Sequence, residues 1–267
     1  MNVHHLLEGE YTDKTMQFPL NPTIFGFTVD THLVAEGLAF FIGFRYFLYL
    51  RRHQVDVISM PNRISILIGA ALGALVGSRL VGSLENPAGF RQAKDFIEIV
   101  YYFFGNRTIL GGLLGGLWGV EIAKKMIAEK HSSGDLFTFP ILLGIIIGRM
   151  GCFSMGIYES TFGNETTFFT GMNLGDGLQR HPIMLYEIAF AVLLWLFLWL
   201  IEQKYTWQAG GKFKIFMISY LIFRLCTEFL KPKIDIIFEL GTIQIACFIG
   251  LVYYANTIWN FRKSFVK

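Results

Sequence analysis

Charge is what this chain has least of. Only 16% of its 267 residues are Asp, Glu, Lys or Arg, against 53% hydrophobic, a balance that excludes an ordinary soluble surface and gives a mean hydropathy of +0.47. The formal charge of +3 is too small to hold a nucleic-acid backbone, so no nucleic-acid partner is expected. The three cysteines, Cys152, Cys226 and Cys247, sit in or beside apolar runs, which excludes a disulfide framework and zinc-finger spacing. His4 and His5 do not by themselves make a ligand set, and neither a metal nor another cofactor is expected. The first 20 residues lack the basic-then-apolar order of a signal peptide.

What is there is a series of apolar runs long enough to cross a hydrocarbon core, which takes about 20 residues. Seven are read, at 32–50, 63–82, 107–127, 137–155, 183–202, 213–230 and 241–258. Basic residues gather in alternate connections: Arg51, Arg52 and Arg63; Lys124, Lys125 and Lys130; Lys204, Lys212 and Lys214; Arg262, Lys263 and Lys267. The positive-inside rule makes that side cytoplasmic and the topology N-out, C-in. The expected protein is an all-α polytopic membrane protein. An outer-side arm at 1–30 precedes a seven-span domain at 31–260, and a basic cytoplasmic tail follows at 261–267. Of the outer connections, 83–106 contains a candidate interfacial helix, and 156–182 reads as a lid or surface loop. Gly69, Gly73 and Gly77, with Gly111, Gly115 and Gly119, recur every four residues, the spacing of close helix packing.

Charges inside spans are functional candidates by default, and here they converge. Arg149 lies roughly 18 Å along the fourth run at a rise of about 1.5 Å per residue, in its outer half. Arg224 and Glu228 share a face in the outer half of the sixth run. Arg79, Arg107, Glu36, His181 and Glu187 fall at similar depth. Four arginines present planar forks suited to phosphate, so an anionic lipid head group is the expected occupant. Mutual neutralisation of Arg224 and Glu228, and snorkelling by Arg79, are the competing readings. Cys152 reads as a small buried hydrophobe, with a nucleophilic thiol as the alternative.

Four segments carry a resemblance: "ILGGLLGG" at 109–116, "GRMGCFSMG" at 148–156, "RHPIMLYE" at 180–187 and "SYLIFRLCTEF" at 219–229, with "GSRL" at 77–80 weaker. Together they resemble the prolipoprotein diacylglyceryl transferase family. The resemblance implies a multi-pass protein of the bacterial cytoplasmic membrane. Its reaction would move the diacylglyceryl group of phosphatidylglycerol to the thiol of a lipobox cysteine, releasing glycerol phosphate. It also implies catalytic roles for Arg149, Arg224 and His181. Substrate-binding roles are expected for Arg79, Arg107, Glu228 and Glu36 from the convergence of charge, and for Gly111, Gly112, Gly148, Gly151, Tyr186 and Glu187 from the matched segments.

The sequence departs from the family pattern where a proton must move. A histidine usually precedes the paired glycines of the third span, and Leu110 stands there. The asparagine that usually follows Gly151 is Cys152, and Glu36 replaces a tyrosine. Leucine cannot take a proton from a thiol. His181 is the best remaining base, its ordinary pKa lying nearest neutrality, with Glu36 or Glu159 behind it. The expectation is therefore a phosphatidylglycerol-dependent transferase serving a lipoprotein cysteine. A related transferase with another acceptor and an inactive lipid- or partner-binding paralogue remain open.

Overall fold

In the computed structural model the described residues are 17–85, 87–232, 240–260 and 265–266. His4, His5 and most of the expected basic tail lie outside them. Ten helices are seen among the described residues: α1 Thr31–His53, α2 Met60–Glu85, α3 Ala88–Gln92, α4 Phe96–Gly105, α5 Ile109–Met126, α6 Asp135–Met155, α7 Ile183–Glu202, α8 Gly211–Glu228, α9 Thr242–Tyr253 and α10 Ala255–Trp259. Their starts are chemically marked. Asp30 accepts the Leu33 N–H at 3.0 Å, and Thr108 accepts the Gly111 N–H at 3.0 Å, each satisfying a donor that the first helical turn leaves free.

Four helices, α1, α2, α6 and α7, are long and apolar enough to cross a membrane. α5 and α8 have 18 residues each and carry charges at their ends. The last expected span is divided, because Tyr254 leaves the helix (φ −91°, ψ 4°) with its ring buried in the core. The polytopic, all-helical expectation stands. The strands are two-residue pairs: β1 Thr23–Ile24 with β2 Phe27–Thr28, β3 Met172–Asn173 with β4 Gln179–Arg180, and β5 Thr206–Trp207 with β6 Phe265–Val266.

The connections gather at two ends. At one, Asn62 donates to Glu129 at 2.8 Å, Arg63 donates to the Ser133 carbonyl at 3.2 Å, and the Gly210 N–H donates to Asp135 at 2.6 Å. At the other, the Leu20 N–H bonds the Ser154 carbonyl at 2.6 Å, and the Asn164 N–H bonds the Leu230 carbonyl at 2.7 Å. The segment 156–182, expected as a lid or surface loop, is largely exposed or half-buried but packs over the end of α6 through Leu174. Leu174 and Met184 are fully buried against Cys152, with Phe18, Phe153 and Phe162 packed around them, and the Ile157 N–H bonds the Leu174 carbonyl at 2.9 Å.

The most extensive helix pair is α2 with α5, and it is a glycine seam. A Cβ at Gly73 would stand 2.2 Å from the Gly115 carbonyl oxygen, one at Gly77 2.4 Å from that of Gly111, and one at Gly69 2.6 Å from that of Gly119. Without side chains the two backbones touch, and dispersion along the seam replaces the hydrophobic drive that lipid cannot supply.

At the end holding the 54–59 connection, Asp56 accepts from Arg63 Nε at 3.0 Å and from Arg51 Nε at 2.9 Å, with a second bond from Arg63 Nη2. Both partners of the Arg63–Asp56 pair are buried. Burial alone would raise the Asp56 pKa. The bonds from Arg63, the Ile58 N–H and Arg51 outweigh it and hold the carboxyl below its ordinary range.

Two predictions follow from this packing. Gly73→Ala should lower stability by about 3 kcal/mol or more through overpacking. Gly116→Ala, whose Cβ would meet only ordinary contacts at 3.5 Å, should be neutral or stabilising by up to about 1 kcal/mol; thermal unfolding in detergent compares the two. Asp56→Ala should cost about 3 kcal/mol by stranding Arg63. Because the folded pKa of Asp56 is depressed, its contribution is complete above the ordinary carboxylate range and disappears as pH falls through the folded value. The gap between wild type and Asp56→Ala should therefore close in acid, as a pH series of unfolding midpoints would register.

Candidate functional site

Three helix ends meet at the end opposite Asp56. α6 brings Arg149 and Cys152, α7 begins with Tyr186 and Glu187, and α8 closes with Tyr220, Arg224 and Glu228. Arg149 and Arg224 are each 6% exposed and Glu187 is fully buried, so their charges must be met inside the protein. Arg149 Nε lies 2.8 Å from Glu187 Oε2, and Tyr220 donates its hydroxyl to Glu187 Oε1 at 2.8 Å. The Arg149 contact is an ion pair rather than an aligned hydrogen bond, since neither Arg149 Nε nor Glu187 Oε2 has an aligned partner. Arg224 Nη2 lies 3.1 Å from Glu228 Oε2 and within electrostatic range of Glu187. Lys231 extends the chain of charges, 3.7 Å from Glu228 and 3.3 Å from Glu85.

The four arginines expected around one phosphate thus form two groups. The interior group, Arg149 and Arg224, is matched by Glu187 and Glu228. The rim group stands where the glycine seam ends. Arg107 Nη1 lies 2.6 Å from Glu36 Oε2, and Arg79 lies within electrostatic range of both. Among the described residues no carboxylate is within ion-pair reach of Arg79, whose Nε is buried and without a hydrogen-bond partner. A guanidinium held beside a second cation with an unmet donor is suited to an added anion.

His181 is set apart from both groups by its contacts. Its Nδ1 lies 3.0 Å from the Tyr186 hydroxyl, which also meets Thr170, and its backbone bonds Gly163 and Asn164. The glycines divide in the same way. Gly111 is buried in the α2–α5 seam, and Gly112 faces Ser78 there, so both stand in helix packing. Gly151 is pressed on Ala35 and His32 of α1, while Gly148 has open space where a Cβ would project. Leu110 is 1% exposed and part of the main core, so no polar group enters from that position.

Several participants were missed. Tyr220 lies four residues before Arg224, which lies four before Glu228, and that spacing on one helical face was a usable signal. His32 gave none, for its partner is Cys152, 120 positions away.

Known proteins resemble this chain over most of its length. A family model described as prolipoprotein diacylglyceryl transferase matches residues 22–261. A phosphatidylglycerol–prolipoprotein diacylglyceryl transferase of Nitrosomonas europaea is 30% identical over 245 residues, covering 82% of this chain and 84% of the relative. Its namesake in Cupriavidus metallidurans is 28% identical over 248 residues, covering 85% and 89%. Bordetella parapertussis has another, 30% identical over 209 residues and covering 73% and 76%. With the matched region spanning every helix that builds the charged end of the bundle, the chain belongs to the prolipoprotein diacylglyceryl transferase family.

Proposed function

We propose that this protein is a membrane transferase that binds phosphatidylglycerol and moves its diacylglyceryl group to the thiol of a lipoprotein cysteine. The observation that carries it is the buried Arg149–Glu187–Arg224 network, at the same end as a rim arginine, Arg79, that has no carboxylate in ion-pair reach among the described residues. In this reading α1, α2, α5, α6, α7 and α8, with the divided α9–α10 as a seventh span, cross a bacterial inner membrane. The basic connections face the cytoplasm and the arginine-rich end faces the outer leaflet.

The reaction needs a positioned anionic lipid, a thiolate and stabilisation of the departing phosphate. The sulfur attacks the glyceryl carbon, the carbon–oxygen bond breaks, and the electron pair leaves with glycerol phosphate. Arg79 and Arg107 hold the lipid phosphate. Arg149, already oriented by Glu187, and Arg224 bear on the charge that grows as the bond breaks. His181, hydrogen-bonded to Tyr186, keeps its place as base candidate.

Leu110 favours a second reading. With an apolar core side chain where the family usually has a histidine, the same lipid site would serve an acceptor other than the usual lipoprotein cysteine.

The test is incubation of purified protein with labelled phosphatidylglycerol and a lipobox peptide. Labelled peptide and glycerol phosphate should appear in equal amounts. Arg149→Ala should lower kcat by about 100-fold or more, whereas Arg79→Ala should act mainly on KM for the lipid, by about tenfold or more. Glycerol phosphate without labelled peptide would favour the second reading, and absence of both products would reject the transferase.

A further inference from the structure

Beside the arginine network, α1 begins against the end of α6 and the turn that follows it. There His32 Nε2 lies 3.8 Å from Cys152 Sγ and 4.0 Å from Glu159 Oε2. The three possible ligand atoms all lie within 4.8 Å of one another. Cys152 is 8% exposed, and the side chains of His32 and Glu159 are 14% and 32% exposed, so the cluster is enclosed except on the Glu159 side.

The arrangement is not that of a nucleophile, base and orienting acid. Such a relay places the thiol on one imidazole nitrogen and the carboxylate on the other. Here sulfur and carboxylate face the same nitrogen, so three ligand types converge on one point. Ligands at about 2.0–2.3 Å from a tetrahedral zinc are separated from one another by roughly 3.3–3.8 Å, so the set, at 3.8 and 4.0 Å from His32 and all within 4.8 Å, would draw in by up to about 1 Å on binding.

We propose that His32, Cys152 and Glu159 bind a zinc-class divalent cation, leaving a fourth coordination position open. A thiolate and a carboxylate with a neutral imidazole carry two negative charges, which the cation cancels. Thiolate with imidazole selects zinc-like ions over magnesium or calcium. Arg149 Nη1, 3.5 Å from Cys152 Sγ, donates to the sulfur and steadies its thiolate form, the role that outer-shell partners play at metal sites. Sequence spacing does not suggest this site, because α1 and α6 bring its members together.

Its use in catalysis rests on the transferase reading. Held by His32, Cys152 and Glu159, the cation would supply a Lewis-acid position that favours loss of an acceptor cysteine's thiol proton to solvent, the deprotonation that Leu110 cannot supply. The acceptor sulfur lone pair then forms the bond to the glyceryl carbon as the carbon–oxygen bond breaks toward phosphate.

The experiment is titration of untagged, chelator-stripped protein in detergent with cobalt(II), followed by zinc(II). A single equivalent of cobalt should bind with the near-ultraviolet charge-transfer band of a cobalt thiolate, and zinc should displace it. Cys152→Ser should lose the band. His32→Ala should weaken binding by about 100-fold or more, a ligand counting for more than an outer-shell partner, and Glu159→Gln should keep the band at reduced affinity. Glu159 is partly exposed, so that variant should stay folded, as its unfolding midpoint will verify. Wild type that binds no cobalt, or a band that survives Cys152→Ser, overturns the site. Bound cobalt in a protein that transfers no lipid keeps the site and removes the transferase reading. Transfer unaffected by complete chelation overturns the catalytic use.

Discussion

The Glu187 carboxylate is the group on which the charged end of this bundle depends. It is fully buried near the start of α7, where the helix dipole favours negative charge. Its two oxygens meet Arg149 of α6 and Tyr220 of α8. Arg149, enclosed among apolar helices, would be untenable without it, because the cost of desolvating a guanidinium is recovered only through a close partner. The same carboxylate ties three helices together, so the orientation of Arg149 is set before any substrate arrives.

The glycine seam determines the second arginine group. Contact between Gly77 and Gly111 brings the end of α2 against the start of α5, and Arg79 and Arg107 lie just beyond that contact. Two cations held near each other, one ion-paired with Glu36 and one with no ion-pair partner among the described residues, make a place suited to an anion. Backbone contact between helices thus becomes a property of the site, since a seam opened by side chains would part the two guanidinium groups.

Charge has a different use at the opposite end. Arg63 has a side chain 2% exposed and bonds Asp56 and the Ser133 carbonyl, so a residue that reads as a topology signal also clamps two connections. The segment 156–182, rich in Gly, Thr and Asn, reads as a lid or surface loop, and it buries Leu174 against Cys152 and Met184 of α7. Composition marks such a segment as polar on average. It does not reveal which few apolar residues turn inward.

Helix positions, the polytopic class, the glycine seam and the gathering of Arg149, Arg224, Glu187 and Arg79 toward one end were legible in the sequence. Each rests on local regularities: the length of an apolar run, a four-residue spacing, or the distance of a charge from the end of its helix. Which charge meets which was not legible. Glu36 and Arg107 are 71 positions apart, and His32 and Cys152 are 120 apart, so their meeting depends on which helices pack and at what rotation. Sequence alone therefore determined that buried charges would collect at one end of an apolar bundle. Only the tertiary structure divided them into a neutralised interior network, a rim arginine with no ion-paired carboxylate among the described residues and a His–Cys–Glu cluster, because ion pairing and ligand convergence depend on distances of a few ångströms that helix packing sets.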